Sequence, residues 1–312
     1  MQFKHLTATL SIIFIFLVAA FWFFVINKTP KISSKPLVVC TTTIIGDTIK
    51  QIAQGTIDLE ILMGPGVDPH LYKPIEQDVY KISQAHIIFY NGLHLEARMG
   101  ELFAKMATIK KTVAVTKDIP QDFLIKSTEH ADFTDPHVWF DPRLWSYAIE
   151  TITCVLQENS PQHHDFYEEN KKEFLEKLNA LYFSTRADIQ RIPLKRRILI
   201  TGHDAFSYFA QAYDCKVVSL QGISTASEAG TKDVQHLVHF IYKHKIPTIF
   251  VETSVPSRNI QALQQGVSAL GFNVCIGDEL YSDALGSPST EQGTYLGMLQ
   301  SNVDAIVHGL LR

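Results

Sequence analysis

From residue 37 onward, short β-branched and aliphatic runs alternate with longer amphipathic stretches. The first set of strand-like runs lies at residues 37–42 (LVVCTT), 57–63 (IDLEILM), 86–90 (HIIFY) and 112–115. After a gap a second set follows, at residues 197–201 (RILIT), 216–220, 248–252 (TIFVE) and 272–276. Short apolar runs separated by helix-length segments predict buried strands in parallel α/β sheets. Between the two sets, residues 165–190 contain neither proline nor glycine and place Tyr167, Phe174, Leu178 and Leu181 at helical spacing. One long helix, starting after Ser160-Pro161, is the expected form. The predicted fold class is α/β, with two (βα)-type lobes of parallel sheet joined by a long backbone helix. The expected divisions are 37–160 for the first lobe, 161–192 for the connecting helix and 193–312 for the second lobe.

The amino terminus follows a different pattern. No residue between His5 and Lys28 is charged, and residues 12–26 (IIFIFLVAAFWFFVI) are continuously apolar. At about 1.5 Å rise per residue, a helix of this stretch is long enough to span a bilayer. Residues 1–28 therefore predict a membrane anchor or signal segment. Cleavage after Ala20 satisfies the small-residue rule but leaves residues 21–26 as an apolar tail, so a retained anchor is the expected form. Cys40 follows Val38-Val39 inside the first strand-like run with no lipobox before it, and lipidation there would remove a core strand. Lys28, Lys31 and Lys35 follow the segment while Lys4 alone precedes it, so charge does not fix the orientation. Residues 29–36 (TPKISSKP) are polar and proline-flanked, and predict a linker.

Composition narrows the classes. A chain of 312 residues, 46% hydrophobic and 19% charged, is long enough for two domains with sizeable cores. A formal charge of -4 without any long basic run excludes nucleic acid as the expected partner, because phosphate binding needs clustered Lys and Arg. Cys40, Cys154, Cys215 and Cys275 show no CxxC spacing, so neither a zinc knuckle nor a thioredoxin-type site is indicated. A Cys215–Cys275 disulfide is left open.

Candidate chemistry lies in three histidine motifs. Asp-Pro-His occurs twice, at Asp68-Pro69-His70 and Asp135-Pro136-His137, and a third histidine stands in Thr201-Gly202-His203-Asp204. Proline fixes the local backbone and leaves the next side chain on a rigid turn, which suits a metal ligand. Taken singly, each is better explained as a turn histidine at a helix end. Their positions change that reading. His70, His203 and Asp283 (in Tyr281-Ser282-Asp283) each lie beyond the carboxyl end of a predicted strand, where open α/β sheets bind ligands. His137 has no strand immediately before it and is the weakest placed of the four. His236, His239 and His244 fall on the amphipathic stretch at residues 232–244 and are expected on a solvated helix face. His163-His164, at the start of the long helix, are expected to be exposed, and His130 reads as a surface-loop residue.

Several segments in order carry a family resemblance. Residues 68–99 (DPHLYKPIEQDVYKISQAHIIFYNGLHLEARM), 135–142 (DPHVWFDP), 201–209 (TGHDAFSYF), 221–230 (QGISTASEAG), 249–255 (IFVETSV) and 281–286 (YSDALG) closely resemble the cluster A-I solute-binding proteins. These are the receptors of manganese, zinc and iron ABC importers, and the likeness runs from about residue 37 to the carboxyl terminus. The resemblance implies one metal bound between two lobes by His70, His137, His203 and Asp283, the same four residues that position singles out. It implies an extracytoplasmic, periplasmic receptor, not an enzyme, with an ABC permease and its ATPase as partners. Two departures from the family stand out: there is no lipobox or clearly cleaved signal, and residues 117–134 hold a single histidine where many zinc-specific relatives carry a His-rich loop. A zinc-dependent hydrolase and a surface adhesin are the alternatives. The hydrolase requires an open metal position and a general base, and the sequence has no HExxH segment. Imidazole donors suit zinc and Asp283 offers the harder oxygen that manganese or iron favours, so the cargo expected is a divalent transition metal of mixed zinc and manganese character, with manganese ahead and iron the third option.

Overall fold

The structure, a computed structural model, describes Trp22, residues 35–127 and residues 133–312. The predicted anchor apart from Trp22, the linker up to residue 34, and His130 lie outside the described residues. Among the described residues no helix is long and apolar enough to cross a membrane. The fold below is that of the compact unit Pro36–Arg312.

The first sheet consists of β1 (Leu37–Cys40), β2 (Asp58–Ile61), β3 (Ile87–Tyr90) and β4 (Lys111–Ala114), all parallel in the order β2-β1-β3-β4. Val38, Val39 and Cys40 of the inner strand β1 are fully buried, as a strand covered on both faces requires. Four helices accompany it: α1 (Thr43–Ala53), α2 (Glu76–Gln84), α3 (Gly100–Ala107) and α4 (Pro142–Asn159). Local chemistry starts them where they start. Thr42 caps α1 by accepting from the Ile45 N–H, and Asp141 caps α4 by accepting from the Arg143 N–H while Pro142 occupies the first helical position.

The predicted connecting helix is α5 (His164–Gln190), 27 residues and so about 40 Å long. Its buried face is Tyr167, Phe174, Leu178, Tyr182 and Ile189. Leu181, expected on that face, is half-buried, because the stripe advances by fours from Phe174 to Leu178 to Tyr182.

The second lobe contains β5 (Ile198–Thr201), α6 (Ser207–Tyr213), β6 (Lys216–Ser219), α7 (Thr231–His244), β7 (Thr248–Ile249), α8 (Arg258–Ala269), β8 (Cys275–Ile276) and α9 (Tyr295–Leu311). Parallel pairs β5-β6 and β7-β8 are joined by a backbone bond from Phe250 N–H to the Ile200 carbonyl, 2.9 Å. β7 and β8 are shorter than the predicted runs at 248–252 and 272–276. After Ile249 the chain turns to that bond and then to a bridge between Glu252 and Leu280, and Gly271 sits in a left-handed turn ahead of β8. All four cysteines are free thiols, so Cys215 and Cys275 do not pair.

The lobes share their main hydrophobic core. One cluster runs from Val38, Ile45 and Phe89 through Trp145, Phe174 and Leu178 to Tyr208, Phe250, Tyr295 and Val303. Buried hydrogen bonds stitch the same seam. Tyr295 N–H donates to Asp47 Oδ2 at 2.8 Å, Leu285 N–H to Thr43 Oγ1 at 2.8 Å, and Trp139 Nε1–H to the Ser282 carbonyl at 2.9 Å. The Tyr295 hydroxyl donates to the Trp139 carbonyl at 2.7 Å from a fully buried position. Tyr295→Phe leaves that carbonyl without its partner, and an orphaned buried acceptor costs about 1–3 kcal/mol. A loss of that size in the stability of the metal-free protein is expected by urea unfolding; an unchanged midpoint would show the seam to be indifferent to this bond.

Candidate metal centre

The two Asp-Pro-His motifs fold into the same turn. Asp68 Oδ1 accepts from the His70 N–H at 2.8 Å, and Asp135 Oδ1 from the His137 N–H at 2.9 Å, each aspartate closing an Asx turn around the fixed φ of the intervening proline. His137, which no strand precedes, gains its place by a side-chain tie. Asn91, just beyond the carboxyl end of β3, donates to the Pro136 carbonyl at 3.1 Å. Asn91 is itself held through its N–H by Glu96 Oε1 at 2.7 Å, and the same oxygen accepts from Thr41 Oγ1 beyond β1 at 2.6 Å. His203 follows β5 directly. The N–H groups of Gly202 and His203 donate to Glu252 Oε1 at 2.7 and 3.0 Å. A β-carbon on Gly202 would stand 3.1 Å from that oxygen, which accounts for glycine there.

These turns bring the four sequence-predicted residues together. His70 Nε2 lies 3.2 Å from His137 Nε2, His137 Nε2 lies 3.4 Å from Asp283 Oδ1, and His203 Nε2 lies 3.5 Å from Asp283 Oδ2. One ligand atom from each residue falls within 4.8 Å of all the others. His137 and His203 are fully buried, Asp283 is 1% exposed and His70 5%. Four donors about 2.0–2.1 Å from a shared tetrahedral ion stand roughly 3.3–3.4 Å apart, close to the three contacts of 3.2, 3.4 and 3.5 Å. The other described histidines that the sequence singles out stay away: His236, His239, His244 and His164 are exposed and His163 is half-buried.

Sequence reasoning did not assign the carboxylates behind the ligands. Asp135 Oδ1 is 2.6 Å from His137 Nδ1, and Glu252 Oε2 is 2.6 Å from His203 Nδ1, the latter contact poorly aligned for a hydrogen bond. Both had a signal. Asp135 opens a repeated tripeptide, and Glu252 ends an otherwise apolar strand-like run. Carboxylates in this position fix the ring orientation and raise the basicity of the nitrogen facing the ion. Asp283 is steadied by Ser254, whose hydroxyl donates to Oδ2 at 2.7 Å.

The electrostatics follow from burial and these neighbours. Burial disfavours the charged form of every group, and for His70 it dominates, lowering its pKa to about 3, so the ring is neutral. Burial also opposes protonation of His137, but Asp135 and then Asp283 overcome it and raise the pKa to about 9. His203 is likewise raised well above its ordinary value, burial being outweighed by Glu252 and Asp283. Asp283 is held well below the carboxylate range, its burial outweighed chiefly by His203 and His137. Buried Asp283 Oδ1, His203 Nε2, Asp135 Oδ2 and Glu252 Oε2 nevertheless lack hydrogen-bond partners. Of these atoms, Asp283 Oδ1 and His203 Nε2 belong to the four-residue cluster, and buried polar atoms left without partners there fit a cation held among the clustered donors.

A fold of two parallel α/β lobes with a closed imidazole–carboxylate site between them defines a metal-binding solute receptor, and comparison with known proteins agrees. The family model described as "Zinc-uptake complex component A periplasmic" matches residues 38–309. The zinc-binding protein TroA of Treponema pallidum is 46% identical over 286 residues, covering 92% of each chain. The manganese-binding lipoprotein MntA of Bacillus subtilis is 42% identical over 273 residues, covering 88% of this chain and 89% of its own. The solved structure of the periplasmic zinc-binding protein TroA superimposes with a TM-score of 0.88 at 45% identity, over 89% of this chain and all of that one. The chain belongs to this family of periplasmic zinc-uptake components, the cluster A-I solute-binding proteins.

The protons at the site set its pH dependence. In the metal-free form His137, with its pKa raised to about 9, and His203, raised well above its ordinary value, hold protons that an ion must displace, so apparent affinity should rise with pH between 6 and 9. Asp135→Asn removes the charge that raises His137. Metal affinity at pH 7 should fall about 10–100-fold and its rise with pH should flatten. Calorimetric titrations between pH 6 and 9 read both effects; an Asp135→Asn protein with the wild-type pH slope would sink this account.

Proposed function

We propose that this chain is the extracytoplasmic receptor of an ABC importer, that His70, His137, His203 and Asp283 hold one divalent transition metal as cargo, and that a permease with its ATPase receives it. The observation that carries the reading is the convergence of four buried donors from both halves of the chain on one point. A hydrolytic ion needs an open position for water. Four protein donors already surround this point, so the geometry favours carriage over catalysis. The division into lobes at residues 37–160 and 193–312, with residues 161–192 between, and a retained anchor within residues 1–28 belong to the same proposal. Tethering at the membrane surface would raise the receptor's effective concentration at the permease.

The cargo we propose is mixed zinc and manganese, with manganese the physiological ion. Relatives named for zinc and for manganese both lie above 40% identity, and a three-imidazole, one-carboxylate set suits either. In open competition zinc should bind at least as tightly under the Irving–Williams order.

Removing one donor tests the site. His137→Ala leaves the other three buried and under-coordinated, so metal affinity should fall by orders of magnitude while the metal-free fold persists. Wild-type protein at 100 times its dissociation constant should gain about 2.7 kcal/mol from the ion, and the variant almost none. Undiminished affinity in His137→Ala would end the ligand assignment. His203→Glu exchanges nitrogen for oxygen and should shift the ratio of affinities toward manganese. In cells lacking the gene, selective loss of zinc with manganese unchanged would overturn the cargo proposed.

Anchoring has its own test. Fractionation and amino-terminal sequencing should find the protein in the membrane fraction with residues 1–28 retained. A soluble product beginning at or after Phe21 would refute the anchor and leave the receptor reading intact.

A further inference from the structure

The four donors are not held alike. His137 belongs to a segment fixed across the seam on both sides: the Tyr208 hydroxyl donates to the Asp135 carbonyl at 3.0 Å, Trp139 bonds the Ser282 carbonyl, and Tyr295 bonds the Trp139 carbonyl. His203 and Asp283 are braced by Glu252 and Ser254 within the second lobe. These three donors form a floor whose parts are tied to one another.

His70 comes from residues 64–75, a loop without regular secondary structure between β2 and α2. Among the described residues no carboxylate is hydrogen-bonded or ion-paired with its ring. Asp68, which closes the turn beneath it, sends its second oxygen elsewhere: Oδ2 accepts from Thr225 Oγ1, in the loop after β6, at 2.6 Å. Among the described residues this is the one hydrogen bond joining residues 64–75 to the second lobe. The contact is half-shielded from water, with Thr225 9% exposed. Gly66 lies in the same loop in a left-handed turn at φ 71°, within ordinary contact range of the Thr253 carbonyl of the second lobe.

We propose that the Asp68–Thr225 hydrogen bond is an interlobe latch: it holds the His70 loop closed on the ion, and it sets the rate of metal release more than the rate of capture. The inference rests on the receptor reading above. An ion meets the floor of His137, His203 and Asp283 first, a step in which Thr225 takes no part. Asp68 then fastens His70 over it through a bond made only in the closed form. A bond made after the encounter appears in dissociation, which is where affinity differences among close variants usually lie. Asp68 is thus a positioning residue acting through His70.

Thr225→Val keeps the shape, removes the hydroxyl and leaves the Asp68 turn intact. The probe is zinc, loaded one per chain and withdrawn by an excess of chromophoric chelator in stopped flow. Release should quicken about tenfold or more, association should stay within about twofold, and Thr225→Ser should restore the wild-type release rate. The metal-free protein should unfold at the wild-type midpoint, which separates a latch from a general loss of structure. Wild-type release from a Thr225→Val protein that still binds one zinc would overturn the latch, as would a serine variant that fails to restore it, or equal changes in both rates. Failure of the wild-type chain itself to bind zinc would instead remove the receptor reading.

Discussion

Everything about this molecule turns on charge placed where water cannot reach it. Three imidazoles and three carboxylates, His70, His137, His203, Asp135, Glu252 and Asp283, meet at the seam between two lobes with exposures of 5% or less. Isolated charges in such a place are costly, and pairing alone does not satisfy these groups, since several of their polar atoms have no hydrogen-bond partner. His137 and His203 answer this in the metal-free form by holding protons that their carboxylates retain. A divalent ion arriving as those two protons leave keeps the net charge of the cluster constant. That equality makes a doubly charged cation the natural occupant.

The scaffold explains why such a cluster persists. Burying it requires two surfaces that do not separate freely, and the shared core provides them: α5 packs its Tyr167–Ile189 face along the seam, and Tyr295, Trp139 and Tyr208 bond across it. Wide hinge opening would expose this core and break those bonds together. Motion is therefore cheaper in the segments that the seam does not hold, of which the His70 loop is the one bearing a donor.

Legibility in the sequence followed locality. Strand periodicity located both sets of strands to within a residue or two, except β7 and β8, where a long-range bond to Ile200 and a left-handed glycine cut the ladders short of what β-branched composition suggested. α5 was legible because neither proline nor glycine interrupts it, and Leu181 packs at the edge of its stripe while Tyr182 beside it is the more deeply buried. The three clustered histidines were marked by the residues around them, Pro69 and Pro136 fixing turns and Gly202 making room for a carboxylate. Of the carboxylates behind them, Asp135 shared the marked tripeptide, while Glu252 had only its place at the end of an apolar run. Glu252 lies 49 positions from His203, and nothing local to either residue announces the pair. Even His137 shows the limit: its missing strand is replaced by the Asn91 side chain, a contact 45 residues away in sequence.

A receptor must also let go, and the charge argument constrains how. Withdrawing an ion from the intact cluster leaves Asp283 facing two imidazoles with neither metal nor protons to balance the carboxylates, which the buried site resists. Release is therefore easiest when protons or water enter as the metal departs. Of the four clustered side chains His70 is the most exposed, so entry is easiest from its side. Of the three imidazoles it is the one whose burial keeps it neutral, and it leaves no unbalanced charge behind when it moves away. The neutral ring on the least tethered loop and the charged rings on the fixed floor are thus two halves of one arrangement, in which the groups that store the charge stay still and the group that carries none is free to move.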